Sequence, residues 1–149
     1  QQNLSRNWQN GRLWWNDPDA IVLMGEMPLN EFQFHASVIY ASGGMILSGD
    51  DLTQISPDRL AMLKKLLLPT GKAAEFIDDT LRIGTVNLPD ARVVCVFNWE
   101  DKSQTITVPL SYSSQITDFW SGENLGRHSG TLTIKNMPMR SARVLVCKQ

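Results

Sequence analysis

The chain has 149 residues, with 14 basic against 15 acidic side chains and a formal charge of −1. That length suits one domain or two small ones and buries about two-thirds of its unfolded surface, while 42% hydrophobic and 19% charged residues fit a folded protein. It excludes a complete (β/α)₈ barrel, which needs about 250 residues, and the charge balance argues against a nucleic-acid grip built on a basic field. No apolar run approaches the ~18 residues of a membrane span, and the opening QQNLSRNWQN does not read as a signal peptide.

In chain order, Leu13-Trp14-Trp15 and Ala20 to Met24 are short apolar runs flanking the polar Asn16-Asp17-Pro18-Asp19. Runs of this kind suit strands buried on both faces, as in parallel sheets. Asn30 is placed as an N-cap with Gln33 three residues on, which predicts a helix over about 31–42 ending at Gly43-Gly44. A second apolar run, Met45-Ile46-Leu47, leads into Ser48-Gly49-Asp50-Asp51. Ser56 as N-cap, Pro57 as first helical residue and Asp58 in the first turn mark another helix, with Leu60, Leu63, Leu66 and Leu67 at helical spacing. The order strand, helix, strand, helix reads as a parallel β/α unit.

Past residue 72 the helical period disappears. β-rich runs follow at 81–86, 92–99, 104–108, 115–120, 131–135 and 142–147, separated by turn signals. Six or seven such strands predict an antiparallel sandwich. Its expected core is Leu81, Ile83, Val94, Val96, Ile106, Val108, Leu132, Ile134, Val144 and Val146. Cys95 and Cys147 read as small buried hydrophobes, with a bridge between neighbouring strands left open.

The chemistry offers few candidates. His35 and His128 lack partners at metal-ligand spacing, and there is no phosphate-cradling loop or nucleophile elbow. Two clusters remain: Asn16, Asp17 and Asp19 after the first apolar run, and Asp50 and Asp51 after the second. In a parallel β/α unit both would emerge at the C-terminal rim, where such folds keep their sites. Carboxylates beside Trp14 and Trp15 make a sugar pocket. Turn capping by Asp17, Asp50 or Asp51 explains the same residues without a ligand.

Trp15-Asn16-Asp17-Pro18-Asp19, followed by Ser42-Gly43-Gly44-Met45-Ile46-Leu47-Ser48-Gly49-Asp50-Asp51-Leu52, resembles the α-galactosidases of glycoside hydrolase families 27 and 36. The lead-in Gly11-Arg12-Leu13-Trp14 resembles the family 36 branch more closely. Phe97-Asn98-Trp99, Asp118-Phe119-Trp120-Ser121-Gly122 and Ser141-Ala142-Arg143-Val144-Leu145 are similar to its C-terminal β domain. The resemblance implies the last two β/α units of a (β/α)₈ barrel over residues 1–70, then an antiparallel β-sandwich over 71–149.

It also implies retaining hydrolysis of terminal α-galactosides without metal or organic cofactor. The family's catalytic aspartates stand on its fourth and sixth barrel strands, upstream of the WNDPD segment. The resemblance therefore puts no catalytic residue in this chain, which alone is expected to be inactive. Asp19, with Asp17, Trp15 and Asp50, is left as a substrate-binding candidate, and Ala20 departs from the Cys or Met often found there. The implied partners are an α-galactoside or related carbohydrate, the missing N-terminal part of the same enzyme, and a second copy through an open barrel edge exposing Leu13, Trp15, Ile46 and Leu47. No nucleic acid or membrane is expected, and any targeting signal would precede Gln1. Two other readings stay open: a non-catalytic carbohydrate-binding or structural module in which Trp120 and its neighbouring loops make the contact, and an inactive relative of the family.

Overall fold

The computed structural model describes residues 1–149. A short helix α1 (Gln2–Ser5) and a 3₁₀ turn (Asn7–Gln9) precede β1 (Ala20–Ile21), α2 (Leu29–Ser42), β2 (Leu47–Ser48) and α3 (Pro57–Leu66). Eight strands follow: β3 (Glu75–Phe76), β4 (Ile83–Asn87), β5 (Arg92–Asn98), β6 (Gln104–Pro109), β7 (Ser114–Asp118), β8 (Asn124–His128), β9 (Thr131–Met137) and β10 (Ser141–Lys148). No helix is long and apolar enough to cross a membrane.

The helices obey local rules, with one correction. In α3 the Ser56 hydroxyl accepts the Arg59 N–H, Pro57 opens the helix and Lys64 and Lys65 lie in its last turn, where the dipole favours them. α2 starts earlier than the expected Asn30 cap. The Pro28 carbonyl accepts the N–H groups of Glu31 and Phe32, so Asn30 lies inside the first turn and caps nothing. At its end Gly43 takes the left-handed φ of 69°, as a C-terminal stop should. Here the crossing into β3 presses on the helix: Ala74 N–H donates to Ala41 O at 2.8 Å, and a Cβ on Gly43 would stand 2.3 Å from the Lys72 carbonyl carbon.

β1 and β2 pair in parallel, Ala20 opposite Leu47 and Ile21 opposite Ser48, with α2 as the crossover. The remaining strands are antiparallel. One six-stranded sheet has the order β3-β4-β5-β10-β7-β8, and β6 and β9 form a second, two-stranded sheet. The larger sheet is covered on both faces. Towards the helices, Val93, Cys95, Phe97 and Val144 pack with Phe32, Ala36 and Ile39 of α2 and Leu63 and Leu66 of α3. Towards the smaller sheet, Val94, Val96, Ile116, Leu145 and Cys147 pack with Ile106, Val108 and Met137. Two covered faces explain why β5 and β10 are nearly continuous apolar runs, whereas β6 alternates buried Ile106 and Val108 with exposed Thr105 and Thr107.

The single sandwich core expected from sequence is thus divided. Ile83, Val94, Val96, Ile106, Val108, Leu132 and Ile134 belong to the sheet-on-sheet layer, while Leu81, Val144 and Val146 face the helices. The sheet pleat also settles the cysteines. Cys95 points towards α2 and Cys147 towards the small sheet, so both are free thiols on opposite faces. Complete burial pushes the Cys95 thiol up to about 12. Trp120 lies outside its expected strand, because Asp118 ends β7 by accepting the Ser121 N–H and hydroxyl. The Trp120 indole is only 8% exposed and its N–H donates to the Ser37 hydroxyl at 2.9 Å. It therefore joins the sheet to α2 and is not an exposed sugar platform.

Candidate functional site

The segment before β1 folds differently from its sequence pattern. Gly11, at φ 71°, opens a turn in which its N–H donates to Trp14 O, and Asn10 Oδ1 accepts the Asn16 N–H. Leu13, Trp14 and Trp15 therefore lie exposed along an irregular stretch, and the strand forms later, at Ala20–Ile21. Asp17 and Asp19 consequently precede β1, while Asp50 and Asp51 follow β2. The two clusters do not share one rim as expected. A run of apolar residues does not say by itself whether it will be buried.

Asp19 is held in a strained conformation, φ 85°, which an Asp tolerates better than most side chains. The Asp17 carboxylate accepts the Asp19 N–H at 3.0 Å, and Asp19 Oδ1 accepts the Ala20 N–H at 2.7 Å. Asp19 lines a cavity of about 440 Å³ together with Glu31, Phe34 and His35 of α2 and Arg140 from the turn before β10. His35 Nε2 lies 3.1 Å from the Ala20 carbonyl. A carbonyl only accepts, so Nε2 carries the hydrogen. Arg140 donates from Nε to Asp101 at 2.7 Å; that bond raises its pKa, with Glu31 adding to the effect. The cavity combines carboxylates, an imidazole, a guanidinium and an aromatic ring, the donors and acceptors a polyol needs.

The other candidates point elsewhere. Asp17 lines a smaller cavity of about 200 Å³ with Trp14, Asn16 and Arg6, and Trp15 lines a third, much larger one. The Asp50 carboxylate is engaged by backbone: its oxygens accept the N–H of Leu23 at 2.9 Å and of Met24 at 2.8 Å. Gly49 N–H donates to Ile21 O at 2.9 Å, so this carboxylate continues the β1–β2 ladder beyond its last residue. Asp51 caps its own turn, where hydrogen bonds from Thr53 and Gln54 hold its carboxyl below the usual range. Glu31, His35 and Arg140 were not assigned to a sugar site from sequence. Arg140 in particular is brought to Asp19 only by the tertiary fold. No group of His, Cys, Asp and Glu side chains comes together in a way that would hold a metal ion.

The brace at Asp50 makes a local prediction. In Asp50→Ala the buried Leu23 N–H loses its acceptor, at a cost of about 1–3 kcal/mol. Hydrogen exchange at Leu23 and Met24 should accelerate, whereas Asp51→Ala should leave both amides as they are. Unchanged exchange in Asp50→Ala would mean that the carboxylate does not hold this loop.

No family model matches the chain, and no curated protein matches it. Solved structures do. α-Galactosidase I from Mortierella vinacea matches 97% of the chain with a TM-score of 0.82 at 19% identity. A family GH27 β-L-arabinopyranosidase from Geobacillus stearothermophilus matches 99% with a TM-score of 0.83 at 15% identity. The α-galactosidase of Saccharomyces cerevisiae, solved with raffinose, matches 99% with a TM-score of 0.77 at 13% identity. The chain spans 42%, 40% and 50% of those three proteins. At these identities the likeness is one of fold: nearly the whole chain follows part of each of these three enzymes.

Proposed function

We propose that this chain is the C-terminal portion of a retaining glycoside hydrolase acting on terminal α-galactosides. The observation that carries the reading is the β1–α2–β2 unit, a parallel pair with a helical crossover set before an antiparallel domain. Two strands of two residues do not make a stable sheet alone, and each has one edge unpaired. In this reading residues 1–70 are the last quarter of a (β/α)₈ barrel, β1 and β2 mark its seventh and eighth strands, and residues 71–149 are the C-terminal domain. The α-galactosidase and GH27 neighbours support the class of enzyme. The leaning towards family 36 rests on the Gly11-Arg12-Leu13-Trp14 lead-in.

Retaining hydrolysis requires two carboxyl groups about 5–5.5 Å apart, a nucleophile and an acid/base. We assign that pair to the preceding part of the enzyme. We assign to this chain Asp19 as a hydrogen-bond acceptor for a sugar hydroxyl in the cavity it shares with Glu31, His35 and Arg140, before β1 and apart from the rim that carries Asp50, with Asp17 fixing its backbone. Asp50 acts through the loop it holds. Asp19→Asn in the full-length enzyme tests the assignment, because Asn tolerates the same left-handed backbone while removing the charge. We expect kcat/KM to fall by about 1.5–3 kcal/mol, or about 10- to 150-fold. An unchanged kcat/KM would remove Asp19 from the site.

A further inference from the structure

Arg140 stands where a glycine would be easier. It precedes β10 at φ 45°, a left-handed backbone that a long side chain adopts only under strain. The turn around it is held from several sides. Buried Asn98 donates from Nδ2 to Met137 O at 3.1 Å and to Pro138 O at 2.7 Å. Ser141 Oγ donates to Pro138 O at 2.6 Å, and the Arg140 N–H donates to Glu100 O at 3.3 Å. A strained residue kept in such a frame points to a task for its side chain. Stability does not supply that task. The side chain is 59% exposed and its ion-pair partner Asp101 is 75% exposed, and pairs this wet contribute little.

The polar groups of the Asp19 cavity do supply one. Asp19 and Glu31, when ionised, only accept hydrogen bonds, and the Nε2 hydrogen of His35 is committed to the Ala20 carbonyl. Arg140 lines the same cavity, uses Nε on Asp101 and keeps both Nη groups without a protein partner. A sugar hydroxyl that gives its hydrogen to a carboxylate still has an oxygen that accepts. The guanidinium of Arg140 is placed to meet that oxygen.

We propose that Arg140 is a specificity-determining residue of the Asp19 cavity, donating from its Nη groups to a substrate hydroxyl whose hydrogen Asp19 or Glu31 accepts. The inference rests on the function proposed above and adds that the antiparallel part of the chain takes part in choosing the substrate. The test is Arg140→Gly in the full-length enzyme, assayed on an aryl α-galactoside and on its monodeoxy analogues. Gly suits the left-handed backbone, so the melting temperature should stay at or above that of the wild type. On the parent galactoside kcat/KM should fall about tenfold or more. On one deoxy analogue the two enzymes should differ by less than about threefold, because the hydroxyl that Arg140 serves is gone. Arg140→Lys, which keeps a donor but not the planar fork, should retain part of the activity and show the same dependence on the analogue, and it carries the test where the glycine variant does not fold. Equal losses on every analogue would overturn the proposal, as would an unchanged kcat/KM in Arg140→Gly. A wild type that turns over none of these galactosides would overturn the function proposed above and this inference with it. Loss of activity in Asp19→Asn beside full activity in Arg140→Gly would overturn this inference alone.

Discussion

Replacing Phe97 by Ala should lower the melting temperature of the chain by about 6–20 °C. Phe97 is 0% exposed and stands near the end of β5, on the face that meets α2. Its ring stacks on Trp99 with centroids 5.1 Å apart and meets Phe34 edge-on at 6.0 Å, with Phe76 at 6.3 Å. These partners come from three places: the residue just past β5, α2 and β3. None can collapse into the space without leaving its own contacts, since Trp99 is tied by its indole N–H to Leu81 O at 2.9 Å. Phe→Ala in such a site costs about 3–5 kcal/mol, and a domain of this size loses about 2–4 °C per kcal/mol. Thermal denaturation followed by far-UV circular dichroism is the measurement. A loss below about 2 °C would show that the aromatic cluster does not hold helix layer and sheet together.

The second large effect concerns the chain on its own, which should show no turnover of an aryl α-galactoside and should self-associate. Silence follows from the chemistry available. The role proposed for the Asp19 cavity is to bind hydroxyls, and a retaining reaction also needs a nucleophile and an acid across the scissile bond. Association follows from β1 and β2, each paired on one side only. Of the residues expected on that edge, Leu13, Trp15 and Leu47 are each more than two-fifths exposed, as are Val22 and Met45, whereas Ile46 is half-buried against the helix-side core. Light scattering should give a mass above that of the monomer, falling when Leu13 and Leu47 are both changed to Ser. Steady turnover by a clean monomer would contradict both expectations and return the catalytic pair to the aspartates of this chain.

Legibility from sequence followed the range of the interactions. α3 was readable because Ser56, Pro57 and Asp58 act on the backbone within one turn. β5, β6 and β10 were readable because burial on one or two faces is written in side-chain alternation or its absence. β8 was not, since Asn124–His128 is polar and becomes a strand only by pairing with β7 at the sheet edge. β3 escaped for a related reason: Glu75 and Phe76 are a strand only against Gly84 and Thr85. At the site, the left-handed Asp19 and the brace at Asp50 depend on hydrogen bonds to particular amides. Residue type and spacing mark those aspartates as notable but do not say which atoms they meet. Trp14, Trp15 and Trp120 show the same limit, because exposed and buried tryptophans look alike in a string of letters.

The strand order carries a consequence for how the protein is made. β10 lies between β5 and β7, yet it follows every other strand in the chain. Until residues 141–148 emerge from the ribosome, the sheet exists only as two separate pieces, β3-β4-β5 and β7-β8. Each piece then has an open inner edge flanked by valines and isoleucine that have nothing to cover them. Synthesis from the N-terminus therefore cannot stabilise this domain step by step. The nascent chain must keep two sticky half-sheets apart and then admit the closing strand between them. The interval after β8 has emerged and before Ser141–Lys148 has followed is the moment of greatest hazard for this polypeptide, and chaperone binding should concentrate there.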